Sequence, residues 1–344
     1  MKIAIHKKNN GFSLKWLEYC EKKGILTKVV NCYSSNIVKD LIDCDGLMWH
    51  IHQANPKEIL FAKQLLYSLE MSGFSVFPDF RTCWHFDDKV GQKYLLEAAG
   101  APVVPSYVFY NKEEAVDWCD STDFPKVFKL RSGAGASNVK LAQDKNSAKK
   151  CINKAFGKGF RQYAPVSNLQ ERWRKYRLGK TDGIDMIKAF ARLGYPTEHE
   201  YVAGRERGYV YFQDFVPGND YDIRVNIIDG KASAVRRKVR ENDFRASGSG
   251  FIDYDMSKIP VEALKISFDL ADKLKLQSVA FDFVLDQDKP LVIEMSYGFG
   301  FISTDFKAGY WDSDLNFHEG EFNPFGWMVD AFVKEIQAKG EKTI

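Results

Sequence analysis

Residues 278–296 read SVAFDFVLDQDKPLVIEMS, two apolar runs joined by the polar stretch 286–290. Apolar runs on both sides of such a turn predict a β-hairpin. Folding the strands about residue 288 places Asp282 opposite Glu294, and the two-residue period of a strand puts Ser296 on the same face. The apolar residues of the two strands then face the other side: Phe281, Phe283, Ile293 and Met295. The stretch therefore predicts two carboxylates that meet on one face of a sheet, in an apolar setting.

Two like charges directly across a ladder destabilise a hairpin, and a buried carboxylate without a partner costs several kcal/mol or shifts its pKa until it is neutral. A cation between Asp282 and Glu294 removes this conflict. Hard oxygen ligands favour Mg²⁺ held together with nucleotide phosphates. A register that differs by one residue would instead turn one carboxylate to solvent, and the sequence leaves both interpretations open.

Composition is that of an ordinary globular protein: 344 residues, 45% apolar and 28% charged, enough for two or three domains. The net charge of +3 gives no general argument for a nucleic-acid partner. The six cysteines form no C-x-x-C pair, and the chain has neither a leader nor an apolar run near twenty residues. We therefore expect a protein of the reducing cytoplasm, without disulfides, zinc, nucleic acid or membrane.

Strand and helix patterns alternate in residues 1–80, which predicts a parallel α/β domain. A second unit, 81–207, starts with a helix that Asp87 and Asp88 open with negative charge and that closes at Gly100. Strands dominate the third unit, 208–344, until a closing helix. The expected fold class is α/β (α+β).

A basic and mostly helical stretch ends the second unit at 145–207. We interpret it as an insertion that forms a substrate cap, an oligomer contact or a solvated helix. The cations that outnumber the nearby acids are Arg161, Arg172, Arg174, Lys175, Arg177 and Lys180.

A loop of small residues, RSGAGASN at 131–138, joins a strand at 126–130 to a second strand at 139–142. Both a P-loop and a Rossmann turn lead from a strand into a helix, so this order excludes them. The backbone N–H groups of such a flap can cover phosphates, and Lys129 would add a point charge. An ordinary hairpin connection is the alternative.

Residues 221–238 read YDIRVNIIDGKASAVRRK, and the Asp-Gly turn at 229–230 fixes the register of a second hairpin. Arg224 then opposes Val235, and Asp222 opposes Arg237. The polar face is either a surface with a weak ion pair or the floor of a charged site. Because Arg245 follows beside a small-residue segment, anion recognition is the stronger interpretation.

In chain order these pieces resemble the ATP-grasp superfamily, and within it the branch of the ribosomal protein S6 modification ligase and glutathione synthetase. The motifs lie between about residues 80 and 300. They are DDK at 87–89, FPKVFK at 124–129 with Gly133 and Gly135, QDFV at 213–216, GNDYDIRV at 218–225, Arg237, NDFR at 242–245, and the hairpin from Asp282 to Glu294. Residues 1–80 resemble the pre-ATP-grasp domain that precedes this core.

The resemblance implies that ATP is the cofactor and that the two lysines and the flap contact its phosphates. It also implies that the backbone of Gln213 and Val216 brackets adenine and that Asp222 lies near the ribose. The residues implied at the phosphates are Lys89, Lys129, Ser132, Gly133 and Gly135.

The same resemblance implies that Asp282, Glu294 and Ser296 hold Mg²⁺, with Mn²⁺ as a substitute. Relatives carry Glu-x-Asn where this chain has Glu294-Met-Ser296. The third metal ligand is therefore a hydroxyl or comes from elsewhere in the chain, and the number of metal ions stays open. Three catalytic residues are implied at the transferring phosphoryl group: Arg224, Arg237 and Arg245.

The implied activity is that of an ATP-dependent carboxylate–amine ligase that forms an amide through an acyl-phosphate. The sequence leaves the oligomeric state open, with a homodimer as one possibility. Small-molecule, peptide and sugar-acid carboxylates are all candidates for the substrate. A small-molecule kinase on the same core and a non-catalytic nucleotide-binding regulator are the alternatives. We expect the segments 49–52 and 309–319 beside the substrate, with His50 and His52 as candidate acid–base groups.

Overall fold

The computed structural model describes residues 1–9, 11–133, 138–162, 198–240, 243–245, 251–300 and 309–341, together with residues 169, 173, 176 and 307. Three main β-sheets with helices packed on them form the fold, which confirms the predicted α/β class. Among these residues, no helix has both the length and the apolar character that a membrane span requires.

The first sheet is parallel, as predicted, with the strand order β2-β1-β3-β4. Its elements are β1 (Lys2–His6), α1 (Ser13–Lys23), β2 (Leu26–Val30), α2 (Ile37–Asp40), β3 (Gly46–Met48), α3 (Pro56–Met71) and β4 (Ser75–Phe77). Helix α3 begins at Pro56 because the Asn55 side chain caps it by accepting from Lys57 N and because proline suits the first turn.

The last helix of the chain, α10 (Pro324–Glu341), packs on this first sheet. Phe332 of this helix shares an apolar core with Ile3, Ile5 and Phe77. The approach is close: a Cβ on Gly46 would lie 2.7 Å from the Phe332 ring. The two ends of the chain therefore build one core.

The second sheet is antiparallel and has the order β5-β10-β6-β7. The helices and strands of this region are α4 (Phe80–Cys83), α5 (Lys89–Ala98), β5 (Ser106–Phe109), α6 (Lys112–Ser121), β6 (Lys126–Lys129), β7 (Lys140–Ala142), α7 (Lys145–Ala155), β8 (Phe160–Arg161), α8 (Glu198–Ala203), β9 (Arg205–Glu206) and β10 (Val210–Asp214). On β6, Phe128 faces the core under α6 and α7, while Val127 and Lys129 face a cavity. Strands β6 and β7 flank the small-residue loop, which confirms the predicted strand-to-strand connection.

The third sheet carries the two predicted hairpins and has the order β15-β14-β11-β12-β16-β17, with β13 paired to β12. Its elements are β11 (Tyr221–Ile228), β12 (Lys231–Lys238), β13 (Ile252–Asp253), a 3₁₀ turn (Met256–Lys258), α9 (Val261–Lys273), β14 (Ser278–Asp286), β15 (Lys289–Ser296), β16 (Tyr310–Asp312) and β17 (Phe317–His318). Ile223, Val225 and Phe281 pack on α9 from one face of this sheet. The opposite, polar face points into the cavity.

The register of β14 and β15 depends on a β-bulge. Gln287 and Asp288 form a two-residue turn with φ of 48° and 66°, so Asp286 pairs with Lys289. A regular ladder from that turn would bring residue 293 opposite Asp282. The register shifts between Asp282 and Phe283, and the extra residue brings Glu294 opposite Asp282, as predicted.

The bulge also corrects one prediction. Ile293 was expected to face the core with Phe283, but Val292 pairs with Phe283 and takes that position. Ile293 lines the cavity instead. The physical reason is that one inserted residue changes the face of the side chains on one side of it.

The basic stretch 145–207 contains α7, β8, α8 and β9. Most of the cations that define it lie outside the described residues: Arg172, Arg174, Lys175, Arg177 and Lys180. Its role stays a prediction.

Candidate functional site

A cavity of about 1190 Å³ lies between the second and third sheets. Most of the predicted site residues contribute to its wall. Those residues are Lys89, Lys129, Gly133, Gln213, Val216, Asp222, Arg224, Arg245, Asp282, Glu294 and Ser296. Segments from residue 89 to residue 296 thus meet at one cavity.

Lys129 is buried on β6 beside a neutral partner. Its Nζ donates to Gln213 Oε1 at 2.5 Å, and Gln213 Nε2 donates to Ser106 Oγ at 3.0 Å, which orients the amide. Burial lowers the pKa of Lys129 to about 8, because the partial charge of an amide does not compensate the loss of solvation. A substantial fraction of this lysine is therefore uncharged at pH 8.

Lys89 is buried to a similar degree at the first position of α5, beside carboxylates. Its Nζ donates to Gly133 O at 2.7 Å and lies 3.4 Å from Glu294 Oε1. Burial favours the uncharged form, but Glu294 and Asp87 outweigh it and raise the pKa of Lys89. This lysine stays charged.

The start of the small-residue loop is fixed to the beginning of α5. The Lys89 N–H donates to Arg131 O at 2.8 Å, and the Gly133 N–H donates to Asp87 Oδ1 at 2.8 Å. Asp87 has a φ of 54°, and burial raises the pKa of its carboxyl to about 6. Asp87 was predicted only as part of a helix start, a role that Asp88 fills by accepting from Gly91 N.

Ser132, which was predicted to bind the nucleotide, turns away from this cavity in the structure. Its N–H and its hydroxyl both donate to the buried Glu206, which also accepts from Tyr209 and Gln162. The Arg131 N–H donates to the same carboxylate. Ser132 thus belongs to a polar cluster behind the loop, and the predicted Gly135 lies outside the described residues.

Arginines and aspartates alternate on the polar face of the third sheet. Arg224 Nε and an Arg224 terminal nitrogen donate to the two oxygens of Asp282 at 2.8 and 2.9 Å. Arg237 donates to Asp222 Oδ1 at 2.7 Å and lies 2.9 Å from Asp282 Oδ2. The predicted pairing of Asp222 with Arg237 is confirmed.

This network corrects the expectation that Asp282 and Glu294 meet in an apolar setting. Burial would raise the pKa of Asp282, but Arg224 and Arg237 outweigh it and hold that pKa well below its usual range. The positive charge of Lys89, 3.4 Å away, balances the negative charge of Glu294. The charge conflict across the ladder is therefore already relieved by side chains of the protein.

The three arginines that were predicted to be catalytic occupy different positions. Arg224 and Arg245 line the cavity, and Arg245 also binds both oxygens of Asp243 at 2.9 Å. Arg237 is not among the described residues of the wall and lies behind it, against Asp222 and Asp282. The geometry makes Arg237 a residue that orients the two aspartates.

The residues present are compatible with a divalent cation that is shared with a phosphate ligand. Asp282 and Glu294 face each other, and three guanidinium contacts use three of about four lone-pair sites of Asp282. Ser296 Oγ donates to Gly298 O at 2.6 Å, which leaves its lone pairs available. No group of three or more His, Cys, Asp or Glu side chains placed to hold a metal occurs among the described residues, so phosphate oxygens would complete the coordination.

The cavity has a mostly apolar region near Gln213 and Val216, where adenine was predicted. Its apolar walls come from both sheets: Val104, Val127, Phe215, Val284 and Ile293. Flat apolar walls suit a base. The sequence analysis missed Ile293 because a β-bulge has no reliable signal in a single sequence.

The segments 49–52 and 309–319 were expected beside the substrate. Neither of these described segments contributes a residue to the wall of the cavity. His50 is buried, its Nδ1 accepts from Phe12 N at 3.3 Å, and burial lowers its pKa to about 3, so it is not an acid–base group near neutral pH. His52 Nδ1 accepts from Ala54 N, while Gln53 lines the cavity. Strands β16 and β17, from the aromatic segment, extend the third sheet beyond β12.

No protein-family model matches the chain, and no curated protein matches it in sequence. Solved structures do match. An ATP-grasp protein with a RimK domain from Sphaerobacter thermophilus is 14% identical over 98% of this chain and 99% of that chain, with a TM-score of 0.54. D-alanine–D-alanine ligase from Bacillus anthracis, complexed with ATP, is 13% identical over 99% of both chains, with a TM-score of 0.58.

The D-cycloserine synthetase DcsG is a third match, 13% identical over 98% of this chain and all of that chain, with a TM-score of 0.59. All three likenesses extend over nearly the whole length of both proteins. The chain therefore has the ATP-grasp fold, and the predicted fold is confirmed.

Proposed function

We propose that this protein is an ATP-dependent ligase that joins a carboxylate to an amine through an acyl-phosphate. The observation that carries the proposal is one cavity that holds two buried lysines, the start of a small-residue loop, a facing carboxylate pair and two arginines. Such a set combines anion binding with oxygen ligands for a metal. The D-alanine–D-alanine ligase and the D-cycloserine synthetase that share the fold support the same class of reaction.

ATP would bind with its base between the apolar walls and its phosphates toward the lysines. Lys129 approaches from β6 and Lys89 from the start of α5, so their charges reach the phosphates from two sides. Charge-assisted hydrogen bonds of this kind are the stronger ones in proteins. The Gly133 N–H at the start of the loop, which donates to Asp87 Oδ1 in this structure, would be a further donor to a phosphate oxygen.

Asp282 and Glu294, with Ser296, would hold Mg²⁺. The bound ion supplies charge neutralisation between phosphate oxygens. Arg224 and Arg237 fix the Asp282 carboxylate through three contacts, so this ligand is oriented before the nucleotide arrives.

In the reaction, an oxygen of the substrate carboxylate attacks the γ-phosphorus, and the bond to the bridging oxygen of ADP breaks. The amine nitrogen then attacks the carbonyl carbon of the acyl-phosphate, phosphate leaves with the bonding electrons, and the nitrogen loses a proton. Arg224 and Arg245 line the cavity and would stabilise the negative charge that develops in both steps. No side-chain nucleophile is required.

A test uses a panel of small-molecule, peptide and sugar-acid carboxylates with ATP, Mg²⁺ and amines, with ADP release and the mass of the product as readouts. Hydroxylamine in place of the amine should intercept the acyl-phosphate as a hydroxamate, because a small nucleophile can enter the acceptor position. ADP release with phosphate transfer to an alcohol and no hydroxamate would identify a kinase instead. ATP binding without ADP release for any pair would favour the non-catalytic regulator.

A further inference from the structure

Asp87 places a carboxylate in the wall of the cavity, next to the lysines proposed to bind phosphate. An anion in that position opposes the binding of another anion. Its backbone also has a φ of 54°, a left-handed conformation that few residues other than glycine adopt. Both features set Asp87 apart from a residue that only starts a helix, a function that Asp88 performs.

The contacts of Asp87 are made with the start of the small-residue loop. Its Oδ1 accepts from the Gly133 N–H at 2.8 Å, while Lys89 Nζ donates to the Gly133 carbonyl at 2.7 Å. Asp87 and Lys89 also attract each other and thereby raise the pKa of the lysine, together with Glu294. Asp87 therefore occupies a backbone donor that a phosphate would use, and its charge acts on a lysine that would bind the same phosphate.

We propose that the Asp87 carboxylate stands in for a phosphate oxygen in the absence of nucleotide, and that nucleotide phosphates bind by displacing it from the Gly133 N–H. The inference rests on the proposed ATP site. Asp87 then sets the affinity for the phosphate part of the nucleotide and leaves the affinity for the base unchanged. Its effect grows with the number of phosphates, because each adds negative charge near the carboxylate.

Calorimetric titration of adenosine, ADP and ATP, each with and without Mg²⁺, tests this on the wild-type protein and on Asp87→Asn. Asparagine tolerates a positive φ and keeps a side-chain oxygen, so the substitution removes the charge and little else. We expect the variant to bind ATP about tenfold more tightly than the wild type does. The gain in affinity for ADP should be smaller, and the affinity for adenosine should be unchanged.

Asp88→Asn is the matched control. It removes the same charge one residue later, where the carboxylate caps α5 by accepting from Gly91 N at 2.9 Å, and asparagine caps as well as aspartate. Its ATP affinity should stay within about twofold of the wild type. An equal gain in ATP affinity in Asp88→Asn would overturn the inference. The gain would then come from the loss of any nearby negative charge and not from displacement of Asp87.

Unchanged or weaker ATP binding by Asp87→Asn, or an equal gain for adenosine, would also overturn it. Asp87→Gly is a second variant that keeps the positive φ without strain and removes the acceptor, so its gain for ATP should be at least as large. The two proposals fail separately: ATP binding that responds as expected without any ligation refutes the ligase alone, and ATP binding that is indifferent to Asp87 refutes only this inference. Failure of every variant to bind ATP refutes both.

Discussion

Lys89 and Lys129 line the same cavity and are buried to a similar degree, yet their pKa values move in opposite directions. The pKa of Lys89 is raised because Glu294 and Asp87 outweigh burial. Burial, together with the charge of Lys89, lowers the pKa of Lys129 to about 8, and its hydrogen-bond partner is the neutral amide of Gln213.

The difference teaches that, at similar burial, the neighbouring groups decide whether a buried lysine keeps its charge here. Lys89, from the start of a helix, is a permanent cation held by carboxylates of the protein. Lys129, from a strand, is only partly charged at pH 8 without nucleotide and would gain a full charge when a phosphate binds. The charge of Lys89 is thus set by the protein, whereas the charge of Lys129 responds to the ligand.

The strongest way to break this comparison is Glu294→Gln, which gives Lys89 an amide partner like that of Lys129. We expect ATP turnover to fall by roughly 10³-fold or more, because the variant also loses a negative ligand for the metal while the side chain keeps its shape. Steady-state ADP release over a Mg²⁺ titration measures it. Asp286→Asn, an exposed acid on the same hairpin, should keep wild-type turnover. Unchanged turnover with the same Mg²⁺ dependence in Glu294→Gln would refute the metal assignment.

Lys129→Ala removes the lysine whose charge responds to the ligand. Nucleotide affinity should fall by about tenfold to a hundredfold, since a charge-assisted contact to phosphate contributes roughly 1.5 to 3 kcal/mol. Calorimetry with ATP provides the value. The matched control is Lys140→Ala on the neighbouring strand, where the lysine is exposed beside Phe160 and should not affect binding. Equal affinities in wild type and Lys129→Ala would show that the loop hairpin does not bind phosphate.

The pH dependence of binding sharpens the comparison. Because the pKa of Lys129 is lowered to about 8, the lysine loses its charge as the pH rises through that value, and phosphate favours the charged form. ATP binding at pH 8 should therefore take up about half a proton, and the affinity should fall by up to about tenfold between pH 7 and pH 9. Titrations in buffers of different ionisation enthalpy count the protons. Lys129→Arg, which stays charged, should abolish the uptake; uptake that persists would assign it to another group.

The smallest expected effect comes from Gln213→Glu, which gives Lys129 a carboxylate partner like that of Lys89. The new charge should raise the pKa of Lys129 and remove the proton uptake at pH 8. ATP affinity at pH 7 should fall only severalfold, since the carboxylate competes with phosphate for the lysine. Proton uptake equal to that of the wild type would mean that Gln213 does not control the charge of Lys129.

Much of the site could be predicted from local patterns. The Asp-Gly turn fixed the pairing of Asp222 with Arg237, and the strand-to-strand order excluded a P-loop at Gly133. These features depend on residues close in sequence, where turn chemistry and strand period act directly. The predicted pair of Asp282 and Glu294 is also found, but only because a β-bulge offsets the position of the turn.

Other features depend on contacts between distant segments. Ser132 belongs to a cluster around Glu206, and Asp87 binds Gly133, although the sequence gives no sign of either contact. His50 follows a parallel strand as a ligand-binding residue would, but it is buried against Phe12. A side chain next to a predicted site can point toward the site or away from it, and tertiary packing decides which direction it takes.

The sequence by itself determined the α/β class, the two hairpins, the loop between strands and the residue types at the cavity, since each follows from patterns within about twenty residues. Only the tertiary structure decided the charge of Lys89 and Lys129, the position of Arg237 behind Asp282, and the face of Ile293. The physical reason is that burial and Coulomb interactions depend on three-dimensional neighbours. The second and third sheets bring together groups that lie far apart along the chain.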